Sequence, residues 1–180
     1  MCKFVNLIIN RQNLIFKNTK YLPNVTFLYS RYKKFLNDDY APPQVYNYVL
    51  DLIESTSPLF FIILNAKTEE FAGFVYLDNL TGNSQHIHGA EVSACFEQKY
   101  WGDFTKKSAL LFFNYCFNEL KLKKIKAQIY PFNHRVKTLL RYTGFQLDGT
   151  LRAETLKNGN LTNLEVYSLT KKDLRFIKID

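Results

Sequence analysis

Glu91 stands out first among the residues able to do chemistry. It falls in His88 to Phe96, a run with strand character in which Glu91, Ser93 and Cys95 share one face and Val92, Ala94 and Phe96 the other. A carboxylate so placed is either a surface or strand-edge group, or a proton acceptor held at a fixed point on a sheet. His86 and His88 lie just upstream and could take protons instead; as alternate histidines they also suggest a metal, but no third ligand of suitable spacing accompanies them, so no metal is expected. A second group, Tyr100-Trp101-Gly102-Asp103-Phe104-Thr105-Lys106-Lys107, precedes and opens a long segment of helical periodicity. A helix N-terminus offers unpaired N–H groups and a positive dipole end to an anion. Lys106 and Lys107 either add to that attraction or form the solvent face of the first turn. The third group is Asn133, a cap for a short helix that carries Arg135, Lys137 and Arg141, whose charges face water or meet an anion.

The elements that must position these groups alternate between strand and helix. Leu14 to Lys17 reads as a short strand and Val25 to Leu36 as a helix; beyond the turn residues Asp38, Asp39, Pro42 and Pro43, Gln44 to Glu54 places Val45, Tyr48, Val49 and Leu52 on one helical face. Leu59 to Asn65 and Glu70 to Leu77 read as antiparallel strands joined by a short polar connection, and Asp78 to Gln85 as a loop. From Thr105 to Leu120, Leu110, Phe113, Phe117 and Leu120 recur at helical spacing, widened by Ala109, Phe112 and Cys116, which predicts a deeply buried helix. Lys124 to Tyr130 alternates cleanly as a strand. His134 to Tyr142 is a helix ended by Gly144, and Glu165 to Leu169 is a strand after the turn Asn158-Gly159-Asn160.

Composition narrows the class. The 180 residues, 47% hydrophobic with 16 Phe and 12 Tyr, suffice for one sizeable core, and no repeat, low-complexity tract or linker divides them, so a single domain over 1–180 is expected. No run approaches the roughly 20 apolar residues of a membrane span, and Met1 to Asn10 has no long apolar segment followed by a cleavage site. The expected compartment is the cytoplasm. Cys2, Cys95 and Cys116 are widely spaced and odd in number, as free thiols rather than a disulfide framework or a zinc site would be. The net charge of +8 permits a polyanionic partner, but the lysines are dispersed and no nucleic-acid recognition motif accompanies them, so nucleic acid is not expected.

Three sets of residues in this order, Tyr100-Trp101-Gly102 before the long helix, Tyr130-Pro131-Phe132-Asn133 followed by Gly144-Phe145, and Asn158-Gly159 followed by Val166-Tyr167-Ser168-Leu169, resemble the GNAT superfamily of N-acetyltransferases. The likeness covers 59–173 and is closest to the ribosomal-protein and aminoglycoside acetyltransferase branch. It implies an α/β (α+β) GNAT fold, a central mixed, mostly antiparallel sheet of about six or seven strands flanked by about four helices. It further implies acetyl-CoA as co-substrate and a primary amine of a protein or small molecule as acceptor.

Carried over residue by residue, the resemblance makes Glu91 the general base and assigns the cofactor loop to Trp101, Gly102, Asp103, Phe104, Thr105, Lys106 and Lys107. In this loop the family carries Arg or Gln, two variable residues, Gly, one variable residue, then Gly or Ala; here Phe104 and Lys106 replace small residues, and Asp103 adds negative charge where phosphates would lie. Asn133 would contact the pantetheine arm. Leu140 stands where many relatives have a proton-donating Tyr, and Val136 where they often have Ser. Two functions therefore stay open: an N-acetyltransferase, favoured by the order of the motifs, and a GNAT-fold protein without catalysis that serves as a binding or structural component of a larger assembly such as a virion, favoured by the departures at Phe104, Lys106, Val136 and Leu140.

Overall fold

A computed structural model describes residues 1–83 and 86–174 of the chain. The elements run β1 (Cys2–Asn6), β2 (Ile8–Asn10), β3 (Ile15–Lys17), α1 (Leu22–Leu36), α2 (Val45–Thr56), β4 (Phe60–Asn65), β5 (Phe71–Gly82), β6 (Ile87–Phe96), α3 (Asp103–Asn118), β7 (Lys124–Ile129), α4 (His134–Thr143), β8 (Gln146–Lys157) and β9 (Asn160–Thr170). Seven strands form one sheet in the order β1-β4-β5-β6-β7-β9-β8, and β2 pairs with β3 separately. The β1–β4, β4–β5, β7–β9 and β8–β9 pairings are antiparallel, whereas β6 and β7 are parallel. The mixed sheet and four helices are those the resemblance implied. The chain divides into two compact units, one made of Met1–Asp78 with Ser93–Phe104, the other of Asn79–Val92 with Thr105–Asp180.

In the first unit α1 begins with Pro23 in its first turn, where the missing N–H costs nothing, and buries Val25, Leu28 and Tyr29 at i, i+3 and i+4. α2 turns the expected set inward, Val49 fully buried and Val45, Tyr48 and Leu52 half-buried against the same core, with Ile53 and Thr56 buried beside them. Both helices share a core with alternate residues of β4, of which Phe60 stacks on Phe74 and Tyr76 at 5.6 and 5.5 Å. β1 runs along β4 from Cys2↔Asn65 to Asn6↔Phe61, a strand the sequence did not disclose because its residues do not alternate cleanly. The thiol of Cys95 is buried in this core, and burial pushes it up to about 12.

α3 starts at Asp103, two residues earlier than its periodicity indicated, and stops within the second unit at Asn118. Lys121 then takes a left-handed φ of 59°, so the half-buried Leu120 belongs to the turn rather than the helix. Phe112, Phe113, Cys116 and Phe117 form its buried stripe, and Phe113 meets Phe145 edge-on at 5.2 Å. β7 alternates as expected, Ile125, Ala127 and Ile129 buried and Lys126 and Gln128 exposed. Asn158 and Gly159, with φ of 51° and 73°, make the two-residue turn between β8 and β9.

β5 does not stop at Leu77 but continues to Gly82, into the segment read as a loop. Reciprocal backbone bonds between Asn83 and His86, at 3.1 and 3.2 Å, close its return towards β6, and Ser84 and Gln85 of the expected loop lie outside the described residues. Because Phe113 is the aromatic that joins α3 to Phe145, Phe113→Ala is expected to destabilise the protein by about 3–4 kcal/mol in urea unfolding.

Candidate functional site

Glu91 is half-buried on β6, and two neutral amides hold it from the neighbouring strands. Gln128 Nε2 on β7 and Asn79 Nδ2 on β5 both donate to its Oε2, at 3.0 and 3.3 Å, while Oε1 takes no hydrogen bond among the described residues. Neutral donors orient a carboxylate without cancelling its charge, so an outer oxygen stays available as an acceptor. The parallel ladder beside it has three rungs, Gly89↔Lys124, Ala90↔Ile125 and Glu91↔Lys126, and both strands continue past the last. The sequence concealed both partners. Gln128 was visible only as a polar position in an alternating strand, and Asn79 lay in the expected loop.

The segment leading into α3 is anchored within the first unit. Tyr100 donates its hydroxyl to Glu70 Oε2 at 2.8 Å, and Lys99 Nζ reaches the same oxygen at 2.9 Å. Lys99 first and Tyr100 second hold the Glu70 carboxyl below its ordinary range. The ring of Tyr100 lies 4.7 Å from that of Phe104, so the bulky residue in the loop has an aromatic seat. Trp101 donates from Nε1 to the carbonyl of Phe96 at 3.1 Å, and Gly102 sits exposed with φ of 98° and nothing within 4 Å of where a Cβ would stand. Asp103 and Phe104 are already helical. In the second unit Lys106 lies over the ring of Tyr142 at 5.0 Å, Thr105 is half-buried and Lys107 is exposed.

At α4, Asn133 caps the helix as expected, its Oδ1 accepting from Val136 N at 3.4 Å, and Gly144 ends it in the left-handed conformation. The cap occupies the side-chain oxygen and leaves the Nδ2 donor without a partner among the described residues. Lys137 does not join Arg135 and Arg141 on the outer surface. Its Nζ pairs with Glu165 Oε1 at 2.7 Å, both side chains being 16% exposed, and Tyr167 donates to Glu165 Oε2 at 3.0 Å. Burial pushes the Glu165 carboxyl up, but the bonds from Lys137 and Tyr167 outweigh it and the net shift is downward. Leu140 is buried. Among the described residues no three His, Cys, Asp or Glu side chains gather as metal ligands, and no helix is long and apolar enough to cross a membrane.

Comparison with known proteins places residues 22–146 in the family described as an acetyltransferase (GNAT) domain. A curated relative from Bacillus licheniformis, the uncharacterized N-acetyltransferase p20, is 28% identical over 117 residues, 63% of this chain; the match spans 62% of that relative's length. Among solved structures, the ribosomal-protein-S5-alanine acetyltransferase of Vibrio fischeri superposes with a TM-score of 0.70 at 15% identity, over 97% of this chain and 96% of the other. The spermidine N-acetyltransferase of Vibrio cholerae, in complex with CoA and spermine, gives 0.71 at 18% identity over 96% of both chains. At such identities these structures share the fold.

The lowered Glu165 carboxyl sets a pH dependence. Its contribution to stability is complete above the unfolded-state value of about 4.3 and is lost as pH falls through the lower folded-state value. Glu165→Gln is expected to lower stability by about 1–2 kcal/mol at neutral pH by leaving Lys137 unpaired. That gap should narrow in unfolding experiments as pH falls below the unfolded-state value and through the lower folded-state one.

Proposed function

The chain belongs to the GNAT acetyltransferase family, and we propose that residues 1–180 act as one acyltransferase domain that moves an acetyl group from acetyl-CoA to a primary amine, with Glu91 as the general base. What carries this reading is the Glu91 carboxylate, held on Oε2 by Gln128 and Asn79 and open on Oε1. An ammonium has no lone pair to attack a thioester, so the acceptor must lose a proton first. Oε1 takes that proton, directly or through one water, while the two amides keep the carboxylate from turning away.

The residues at the start of α3 suit a pyrophosphate in part. The positive dipole end of α3, with the open main chain at Gly102, offers the backbone approach an anion needs. The Phe104 ring is turned to Tyr100, and Lys107 adds exposed positive charge, whereas Asp103 opposes it. With Trp101, Thr105 and Lys106, these residues would hold the diphosphate end, and Asn133 would donate from Nδ2 to a carbonyl of the pantetheine arm. Acetyl-CoA supplies the activated acyl carbon and a thiolate leaving group. The buried Leu140 cannot protonate that thiolate.

The test is acetyl transfer followed by thiol release across a panel of amines. Glu91→Gln is expected to lower kcat/KM about 10²–10³-fold, with the KM for acetyl-CoA unchanged. An unaltered rate in Glu91→Gln would remove Glu91 from the reaction.

A further inference from the structure

The polar sheet face that carries Glu91 also carries a cation, Lys126, that feels Asp148 at a distance but makes no direct ion pair among the described residues. Lys124, Lys126 and Gln128 occupy alternate positions of β7, and since Gln128 reaches Glu91, all three lie on its face. Lys126 is the direct rung partner of Glu91 across the ladder, a backbone separation of about 4.8 Å. The two charges nonetheless do not pair. Glu91 Oε2 is taken by the amides. Lys124 is engaged by Asp148 Oδ2 at 2.8 Å, and Asp148 Oδ1 accepts from Ser168 Oγ at 2.7 Å. Lys126 is left with no hydrogen bond or ion pair among the described residues. It borders a hollow of about 220 Å³ lined also by Thr81, His88, Gly89 and Lys124. Gly89 lets the strands close in here, because an added Cβ there would come within 3.3 Å of Thr81.

Charge is distributed unevenly along the sequence. The stretches of the first unit hold nine Lys and Arg against nine Asp and Glu, those of the second fifteen against seven, so the whole net charge of +8 belongs to the unit that contains this hollow. An amine that is cationic elsewhere as well would meet Lys126 with like charge, whereas an amine bearing an anion would satisfy both groups at once.

We propose that the acceptor is an amine carrying an anionic group, a carboxylate or a phosphate, which Lys126 receives in this hollow while the amine nitrogen meets Glu91. The assignment rests on Glu91 being the base of the acetyl transfer. Lys126 discriminates among acceptors and takes no part in moving the proton.

The experiment is a titration of the whole chain, observed by amide NMR, with alanyl-aspartate, O-phosphoethanolamine, alaninamide and spermidine, alongside acetyl transfer to the same four amines. At least one anionic amine is expected to shift the amides of Gly89, Lys124 and Lys126 and to bind about tenfold or more tightly than alaninamide. The tighter of the two anionic probes identifies the anion. Lys126→Glu should abolish that preference, while Lys121→Glu, an equal change of total charge elsewhere in the unit, should leave it intact. Equal binding of neutral and anionic amines, indifference to Lys126→Glu, or transfer confined to alaninamide or spermidine overturns the inference alone. Anion binding at the hollow without transfer to any amine counts against the acetyl-transfer reading, and through it against an acceptor at this place.

Discussion

One parallel pairing in a mostly antiparallel sheet governs the rest of the structure. Parallel neighbours cannot be joined by a tight turn, because the chain must first travel back along the length of the strand. Between β6 and β7 that return is made by α3, a 16-residue helix whose apolar stripe is buried in the second unit. The same crossover fixes where the helix begins, since Asp103 follows the end of β6 at Phe96 by a short anchored segment. Tyr100 bonded to Glu70 and Trp101 bonded to the Phe96 carbonyl hold that segment, and Phe104 takes its seat against Tyr100. A helix N-terminus and a strand bearing a carboxylate are thus two products of one topological requirement.

The carboxylate depends on the same pairing for its orientation. Gln128 can reach Glu91 because the parallel register sets the two strands with Glu91 opposite Lys126, one alternate position from Gln128. A slip of one residue would bring Ile125 or Ala127 to that rung and turn the polar set to the other face. The register also leaves Lys126 beside Glu91 without joining them, so a negative and a positive group stand side by side, each able to meet a ligand.

Much of this was legible in the sequence wherever a local pattern determines local structure. α4 was readable from Asn133 at one end and Gly144 at the other, β7 from its alternation, and the last hairpin from Asn158-Gly159. Each needs only the residue's own backbone preference or the period of its element. β1 was not, because its chain position shows no pattern that only pairing with β4 explains. The far end of β5 looked like a loop because Asn79 and Gly82 are turn-forming residues, and both do adopt positive φ there within a continuing strand. At the site, Glu91 and the residues around α3 could be named from the sequence. The amides that hold Glu91 could not, since they come from two other strands through a register that no single segment encodes.

Calorimetric titration of the unaltered protein with acetyl-CoA tests the central claim most directly, because Phe104 and Lys106 replace the small residues of the family pattern and Asp103 adds negative charge beside them. Micromolar, stoichiometric binding is the result the account requires, with Phe104 seated on Tyr100. No binding by the unaltered chain, with binding gained on Phe104→Gly, would contradict it, and would mean that this GNAT scaffold has closed its cofactor site.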